Sequence, residues 1–368
     1  NTDGGWTAAT PLGELRDGRV RSMQFAGPDT LPVMSATSVL DGVVTFQTAE
    51  YDSSRTLLVD PVLEWSTYFG GSGDDWPSAS GGSTIYVAPD GAVCLAGATE
   101  SPDFPVTPGV VQTTYGGPCD VVVLKMSASG QRLWSTYYGA IDREAAGSIC
   151  CDSRSNIIVG GGCWKFFPVS PGAFQPFVNN DSPIGPIGDG FLLKLTPEGK
   201  RSWATYIGGR DAELVSAIAI DRFDNIVTAL CTRSMNMPLF GSPFQPDLSN
   251  PPHVPGVGPE DAFLVKWTPD GRPIWSTYYG GSDIEGVGSL TVDEDGNIVM
   301  CGSTASLDFP VSSGAFQSNS HGRGDAYLIA FDSAGNRLWA TYLGGSGTDN
   351  LRAVTSSGNG NFVAVGWF

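Results

Sequence analysis

The stretch WSTYYGG, Trp275 to Gly281, decides the fold, because the chain repeats it. Close copies read WSTYFGG from Trp65, WSTYYGA from Trp134, WATYIGG from Trp203 and WATYLGG from Trp339. Successive tryptophans stand 69, 69, 72 and 64 residues apart. A period of this size, built from strand-like pieces, is the signature of a repeat architecture.

One period shows the plan, between Gly280 and Tyr342. A Gly-rich acidic loop, GGSDIEG, leads to an expected strand at Ser289 to Val292 and a turn at Asp293 to Asn297. The second strand is expected at Ile298 to Ser303, followed by a loop carrying FPVSSGAFQ, Phe309 to Gln317. The third, Asp325 to Phe331, ends at the turn Ser333 to Asn336, and the fourth, Arg337 to Tyr342, carries WATY. Four short strands joined by tight turns leave no room for a crossover helix, so neighbours pair antiparallel. Units of this kind repeated radially make an all-β fold, a β-propeller of four-stranded antiparallel blades. The repeated Trp is expected to wedge between blades while its indole N–H finds a backbone acceptor. A β-solenoid is the structural alternative, with rungs usually shorter than these units.

The other units align piece by piece, through FPVTPGVVQ from Phe104, FPVSPGAFQ from Phe167 and third strands beginning at Asp120, Asp189 and Asp261. The third unit departs, reading MPLFGSPFQ from Met237. The second opens on GAIDRE at Gly139, where others have GGSGDD-like loops. Pro-, Asn- and Gly-rich insertions at about 176 to 188 and 246 to 260 read as exposed loops.

The pieces WSTYYGGS, DEDGNIV, CGSTASLDFPV, GAFQ and GDAYLIAF resemble the SBBP-type β-propeller repeat of large bacterial and other secreted proteins. Upstream, TPLGELRDG and YDSSRTLLVDPVLEWSTYFGG resemble the segment that precedes such repeats in that family, so the resemblance covers about residues 10 to 368. It implies an extracellular or cell-surface module and no defined chemistry.

Two domains are expected: a β-rich segment over 1–60, with strands at Val43 to Gln47 and Thr56 to Val59, and propeller repeats over 61–368. The repeats divide at about 70–138, 139–207, 208–279 and 280–343, with a partial unit at 344–368 whose strands are Leu351 to Thr355 and Asn361 to Val365. Thr56 to Val59 and Leu63 to Tyr68 are candidates to complete that last blade, which would close a five-bladed ring; a truncated larger ring is the alternative.

Composition narrows the function. The 368 residues are 41% hydrophobic and 16% charged, as suits a large core, and 49 Gly with 26 Pro suit many turns. A net charge of −18 argues against nucleic acid, whose phosphates require a basic surface. No apolar run of about 18 residues is present, so no membrane insertion is expected. The chain opens on Asn1 rather than Met, as a processed chain would. Seven cysteines show no CxxC pair and no metal-ligand spacing with the two histidines, and read mainly as buried thiols.

The loops before each first strand carry acids: Asp74 and Asp75, Asp142 and Glu144, Asp211 and Glu213, Asp283 and Glu285, and Asp349. Asp75, Asp142, Asp211, Asp283 and Asp349 form the candidate metal set, since a ring of carboxylates at a channel mouth could gather Ca²⁺. The competing reading is that Asp and Gly make the turns and cap loose N–H groups. Asp293, Asp295 and Asn297 have part of a Ca²⁺ loop without its distal Glu and read better as a hairpin turn. Arg323-Gly324-Asp325 spells an integrin-type tripeptide, though Asp325 also holds the repeated third-strand position. Trp76, Trp164 and Phe177 lie off the repeat pattern and are the candidate ligand-contact aromatics. Asn180 begins a glycosylation sequon, Asn180-Asp-Ser182.

No catalytic motif appears: GxSxG and HExxH are absent, and His253 and His321 sit in loops without repeated partners. The expected role is a non-catalytic structural or adhesive module, secreted or on a cell surface, meeting other proteins or surface glycans or self-assembling into a larger complex. A lectin-like propeller, with or without Ca²⁺, is one alternative; an enzyme acting on polysaccharide through channel-mouth carboxylates is another.

Overall fold

The computed structural model describes residues 66–77, 83–179, 188–249 and 260–368, and within the first 65 residues the strands together with residues 52, 54 and 55. It divides into two compact units, Asn1–Tyr68 and Phe69–Phe368. The boundary thus falls after the first WSTY sequence rather than before it.

In the first unit Trp6–Thr10 pairs with Gly13–Asp17, and Ser35–Leu40 with Val43–Thr48. A three-stranded sheet places Arg21–Ala26 between Asp29–Val33 and Leu57–Asp60. The segment expected at Thr56 to Val59 as a closing strand therefore pairs with Arg21 to Gln24 inside its own unit. Of the second candidate, Leu63 to Tyr68, residues 63–65 lie outside the described residues and 66–68 are not strand.

The second unit is a β-propeller. Among the described residues it holds no helix, and its strands form four antiparallel sheets of the repeated plan plus a two-stranded one. The fourth sheet orders Glu285–Val292, Ile298–Thr304, Asp325–Phe331 and Arg337–Leu343 side by side in sequence. The second and third sheets repeat this from Glu144–Cys151 to Arg201–Ile207 and from Glu213–Ile220 to Pro273–Tyr279. In the first sheet the opening strand is broken into Asp75–Trp76 and Ile85–Val87, both paired with Val93–Thr99. The last sheet is Asn350–Gly358 with Asn361–Trp367. In the fourth sheet the first strand begins four residues earlier than the apolar pattern suggests, at Glu285, and the first strands of the second and third sheets likewise open on a buried acid, Glu144 and Glu213.

First strands of successive sheets lie beside one another. Ile149 N–H donates to Ser83 O, and Ile218 N–H to Ser148 Oγ, across two of these junctions. The first strand is thus innermost and the fourth outermost. The larger hydrophobic clusters straddle junctions: Cys94, Val121 and Val123 pack with Ile149, Ile157 and Phe191, and Val227 and Leu264 with Ile298, Met300 and Ile329. The repeated tryptophans behave as the pattern requires. Trp134, Trp203 and Trp275 donate their indole N–H to Pro197 O, Pro269 O and Ser333 O, each in the 3–4 turn of the following sheet, at 2.7, 3.1 and 3.1 Å. All seven cysteines are free thiols, six of them buried. Met237 takes the core position of Phe167 and Phe309, and its N–H meets Tyr278 Oη as that of Phe309 meets Tyr342 Oη. The departure in the third unit is therefore absorbed.

Candidate functional site at the loop end

Strand direction sorts the connections. The 4–1 loops with their Gly pairs and the long 2–3 connections emerge at one end of the sheets, and the tight 1–2 and 3–4 turns at the other. At the turn end Asp152, Asp221 and Asp293 accept N–H groups two and four residues on, and the amide of Asn156, Asn225 or Asn297. Asp293 to Asn297 is thus a closed hairpin turn, with its carboxylate occupied. Asp152 and Asp221 are further paired with the buried Lys194 and Lys266, at 2.8 and 2.9 Å. Those partners hold both carboxyls below the usual range although burial pushes the other way.

At the loop end the candidate metal acids do not hold equivalent places. Asp75 and Asp349 stand where the other units have Glu144, Glu213 and Glu285, and each of these five accepts the N–H of the residue four before it. Asp142, Asp211 and Asp283 lie two residues earlier on the loop; the N–H groups of Asp211 and Asp283 donate to Ser234 and Ser306 Oγ. Reading acids by type rather than by register merged two positions into one ring. Among the described residues no three His, Cys, Asp or Glu side chains are grouped to hold a metal ion.

The capping acids belong instead to a junction. Each third-strand Asp is fully buried and fixed by the Gln of the GAFQ-like piece: Gln112, Gln175, Gln245 and Gln317 donate to Asp120, Asp189, Asp261 and Asp325. The same Gln side chains accept the N–H of Gly139, Gly208, Gly280 and Gly344. That glycine lies between the Asp of one sheet and the capping acid of the next. A Cβ at Gly280 would sit 2.5 Å from Asp261 Oδ1 and 2.3 Å from Glu285 Oε2. Burial first, and the facing Asp second, raise Glu144 and Glu213 to about 8 and Glu285 to about 7. Asp120 and Asp261 rise to about 6, again through burial. Asp325 is 0% exposed, with its carboxylate taken by Gln317 and the His321 N–H, so Arg323-Gly324-Asp325 cannot present its acid to a receptor.

The candidate aromatics sit in different places. Trp76 is in the broken first strand and lines a 180 Å³ hollow with Phe69, Leu95, Phe104, Val122 and Leu124. Trp164 follows a second strand and is half-buried, its N–H on Arg143 O. Phe177 is exposed on the 2–3 connection of the second sheet. Asn180 and His253 lie outside the described residues.

Two features escaped sequence reasoning. The first is a rim of exposed apolar side chains at the loop end: Ile141, Phe166, Met235, Ile284 and Leu307. Met235 and Leu307 hold the same place in their units, so comparison of units by register would have found that pair; Ile141 and Ile284 lie on equivalent loops at different positions. The second is a cavity of about 390 Å³ against the first strands of the third, fourth and last sheets, containing Arg233, Glu260, Asn350 and Arg352. It draws on three units, and no single period carries its signal.

No protein-family model matches the chain. A match 200 residues long, covering 49% of this chain, is 26% identical to an uncharacterized WD repeat-containing protein of Acanthamoeba polyphaga mimivirus. It spans 14% of that protein's length. Among solved structures, a gluconolactonase from Xanthomonas campestris is similar at 12% identity and a TM-score of 0.31, over 79% of this chain and 85% of that one. A likeness at that score supports no inference about activity. The repeated antiparallel sheets described above, with the similarity to a WD repeat-containing protein, make the chain a repeat β-propeller.

Proposed function

We propose that this chain is a non-catalytic interaction module that binds protein partners through the loop end of its propeller. The observation that carries this is the rim. Large apolar side chains gather there and stay exposed, with Met235 and Leu307 recurring in register, where a monomer's surface would ordinarily leave them scattered. Distant similarity to a WD repeat-containing protein supports an interaction role at the same coarse level. The resemblance of the repeats to the SBBP type supports a secreted or surface-exposed setting, which we adopt as part of the proposal. A hydrolytic role for the loop acids is less well supported, because Glu144, Glu213 and Glu285 are buried and engaged with loop N–H groups.

The test is a double variant, Met235→Asp with Leu307→Asp, immobilised beside the unaltered chain and exposed to the producing organism's extracellular proteins. Both substitutions lie on exposed side chains, so circular dichroism should not change. A partner held by the unaltered chain and lost by the variant is the expected result. Equal retention by both would remove the rim from the reading.

A further inference from the structure

The cavity near the axis has a construction that the rim does not explain. In each of the last four sheets the first strand carries a β-bulge at the same place, with register slips between Ala146 and Ser148, Val215 and Ala217, Val287 and Ser289, and Leu351 and Ala353. The extra residue of a bulge leaves the ladder and is re-aimed, which is why bulges recur beside binding sites. The extra residues are Gly147, Ser216, Gly288 and Arg352, and the last three line the cavity. Gly288 cannot be larger, since a Cβ there would lie 2.2 Å from Leu351 O. Only Arg352 among them is a long cation. Its guanidinium is steadied 4.9 Å from the centre of the Trp367 ring.

Opposite lies Arg233, whose Nη2 meets Glu260 at 3.1 Å while its buried Nε–H has no partner. Asn350 Oδ1 is also buried and unpartnered. An unmet donor and an unmet acceptor in one hollow call for a ligand that offers both complements, since each group left unpaired carries a desolvation cost. Ser303 and Glu260 add polar groups to the wall. Glu213, also in the wall, accepts the Thr232 hydroxyl on Oε1 and is raised by burial to about 8, and Glu260 is paired with Arg233, which leaves the Arg352 guanidinium to set the local charge. That positive point stands out on a chain of net charge −18.

We propose that this cavity binds a polyhydroxy carboxylate of hexuronate size, its carboxylate on Arg352 and the Arg233 Nε–H, and a hydroxyl donating to Asn350 Oδ1. Guanidinium groups suit carboxylates geometrically, and the volume falls within the usual range for small-ligand sites. The lining shares no residue with the exposed rim.

Isothermal titration of the full chain with sodium galacturonate, with glucose and with acetate tests the assignment. Galacturonate should bind, and the other two should bind at least about tenfold more weakly, each lacking one half of the complement. Arg352→Gln should weaken galacturonate about tenfold or more with the melting temperature unchanged, because the side chain is exposed. Asn350→Ala should reduce the preference for galacturonate over acetate. No heat with galacturonate would overturn the proposal. Equal affinity for acetate would reduce the site to a simple anion pocket and for glucose to a neutral-sugar pocket, either of which overturns it. So would unchanged binding by Arg352→Gln.

Discussion

Asp261 and Glu285 face each other across Gly280, on opposite sides of a blade junction, with no basic side chain among the described residues bonded to either. The pair recurs as Asp120 with Glu144 and Asp189 with Glu213, around Gly139 and Gly208. Blades in this protein are therefore joined at the loop end by acids that burial favours in the protonated form.

Rising pH should loosen these junctions. An ordinary Glu titrates near 4.5, whereas Glu285 is raised to about 7 and Glu144 and Glu213 to about 8. A raised folded-state value contributes stability that is full below the unfolded value and lost as pH climbs through the folded one. Urea midpoints should thus fall between pH 5 and pH 8.5, and the Glu285→Gln variant should show a shallower fall. A midpoint that rises over this window would contradict the burial assigned to the acids.

Gly280→Ala should destabilise the second unit by ~2–3 kcal/mol, the cost of forcing volume into a packed site. The new Cβ would meet both carboxylates at once, and the backbone there is bound through the Gln245 side chain. Gly345, where a Cβ meets nothing within 4 Å, is the control, and Gly345→Ala should be close to neutral. Urea unfolding of the two variants makes the comparison.

Trp275→Phe should cost about 1 kcal/mol, since it removes the indole donor from Ser333 O while keeping an aromatic ring at the junction. Lys266→Met should cost more, ~3 kcal/mol, because it strands the buried Asp221 carboxylate. Adding Asp221→Asn to Lys266→Met should recover part of that loss, as measured by a double-mutant cycle in urea.

The strands and the inter-blade tryptophans were legible because both follow the period, in apolar alternation and in spacing. The junction was half legible. Its acids were visible, yet Asp75 and Asp349 replace Glu at the capping position, and the neighbouring Asp283 carries the residue type without the role. Register, which decides the matter, is a property of the paired sheet. Arg352 shows the limit most clearly: it stands where other units have Gly or Ser, and only the bulge explains why that place faces the axis. Thr56 to Val59 looked free to close the last blade because the pairing of Leu57 to Asp60 with Arg21 to Gln24 joins distant segments without a shared motif.

The last sheet supplies a paired test of what neighbouring blades do. Val299 and Val363 hold the same register position on second strands, opposite Thr291 and Thr355. Val299 is 0% exposed under the strand Asn350–Gly358, whereas Val363 is 53% exposed. Val365 and Trp367 continue this open apolar row along a strand that, among the described residues, pairs only with Asn350–Gly358. Such an edge invites association, and lysine is the residue that natural sheets use to blunt it. Val363→Lys should leave the urea midpoint within about 0.5 kcal/mol of the unaltered chain and reduce self-association in light scattering. Val299→Lys should unfold the second unit outright, since it buries an unpaired charge between two sheets. If both substitutions were tolerated, the row at Val363 would not mark a missing neighbour; if both unfolded the protein, that face would already be covered.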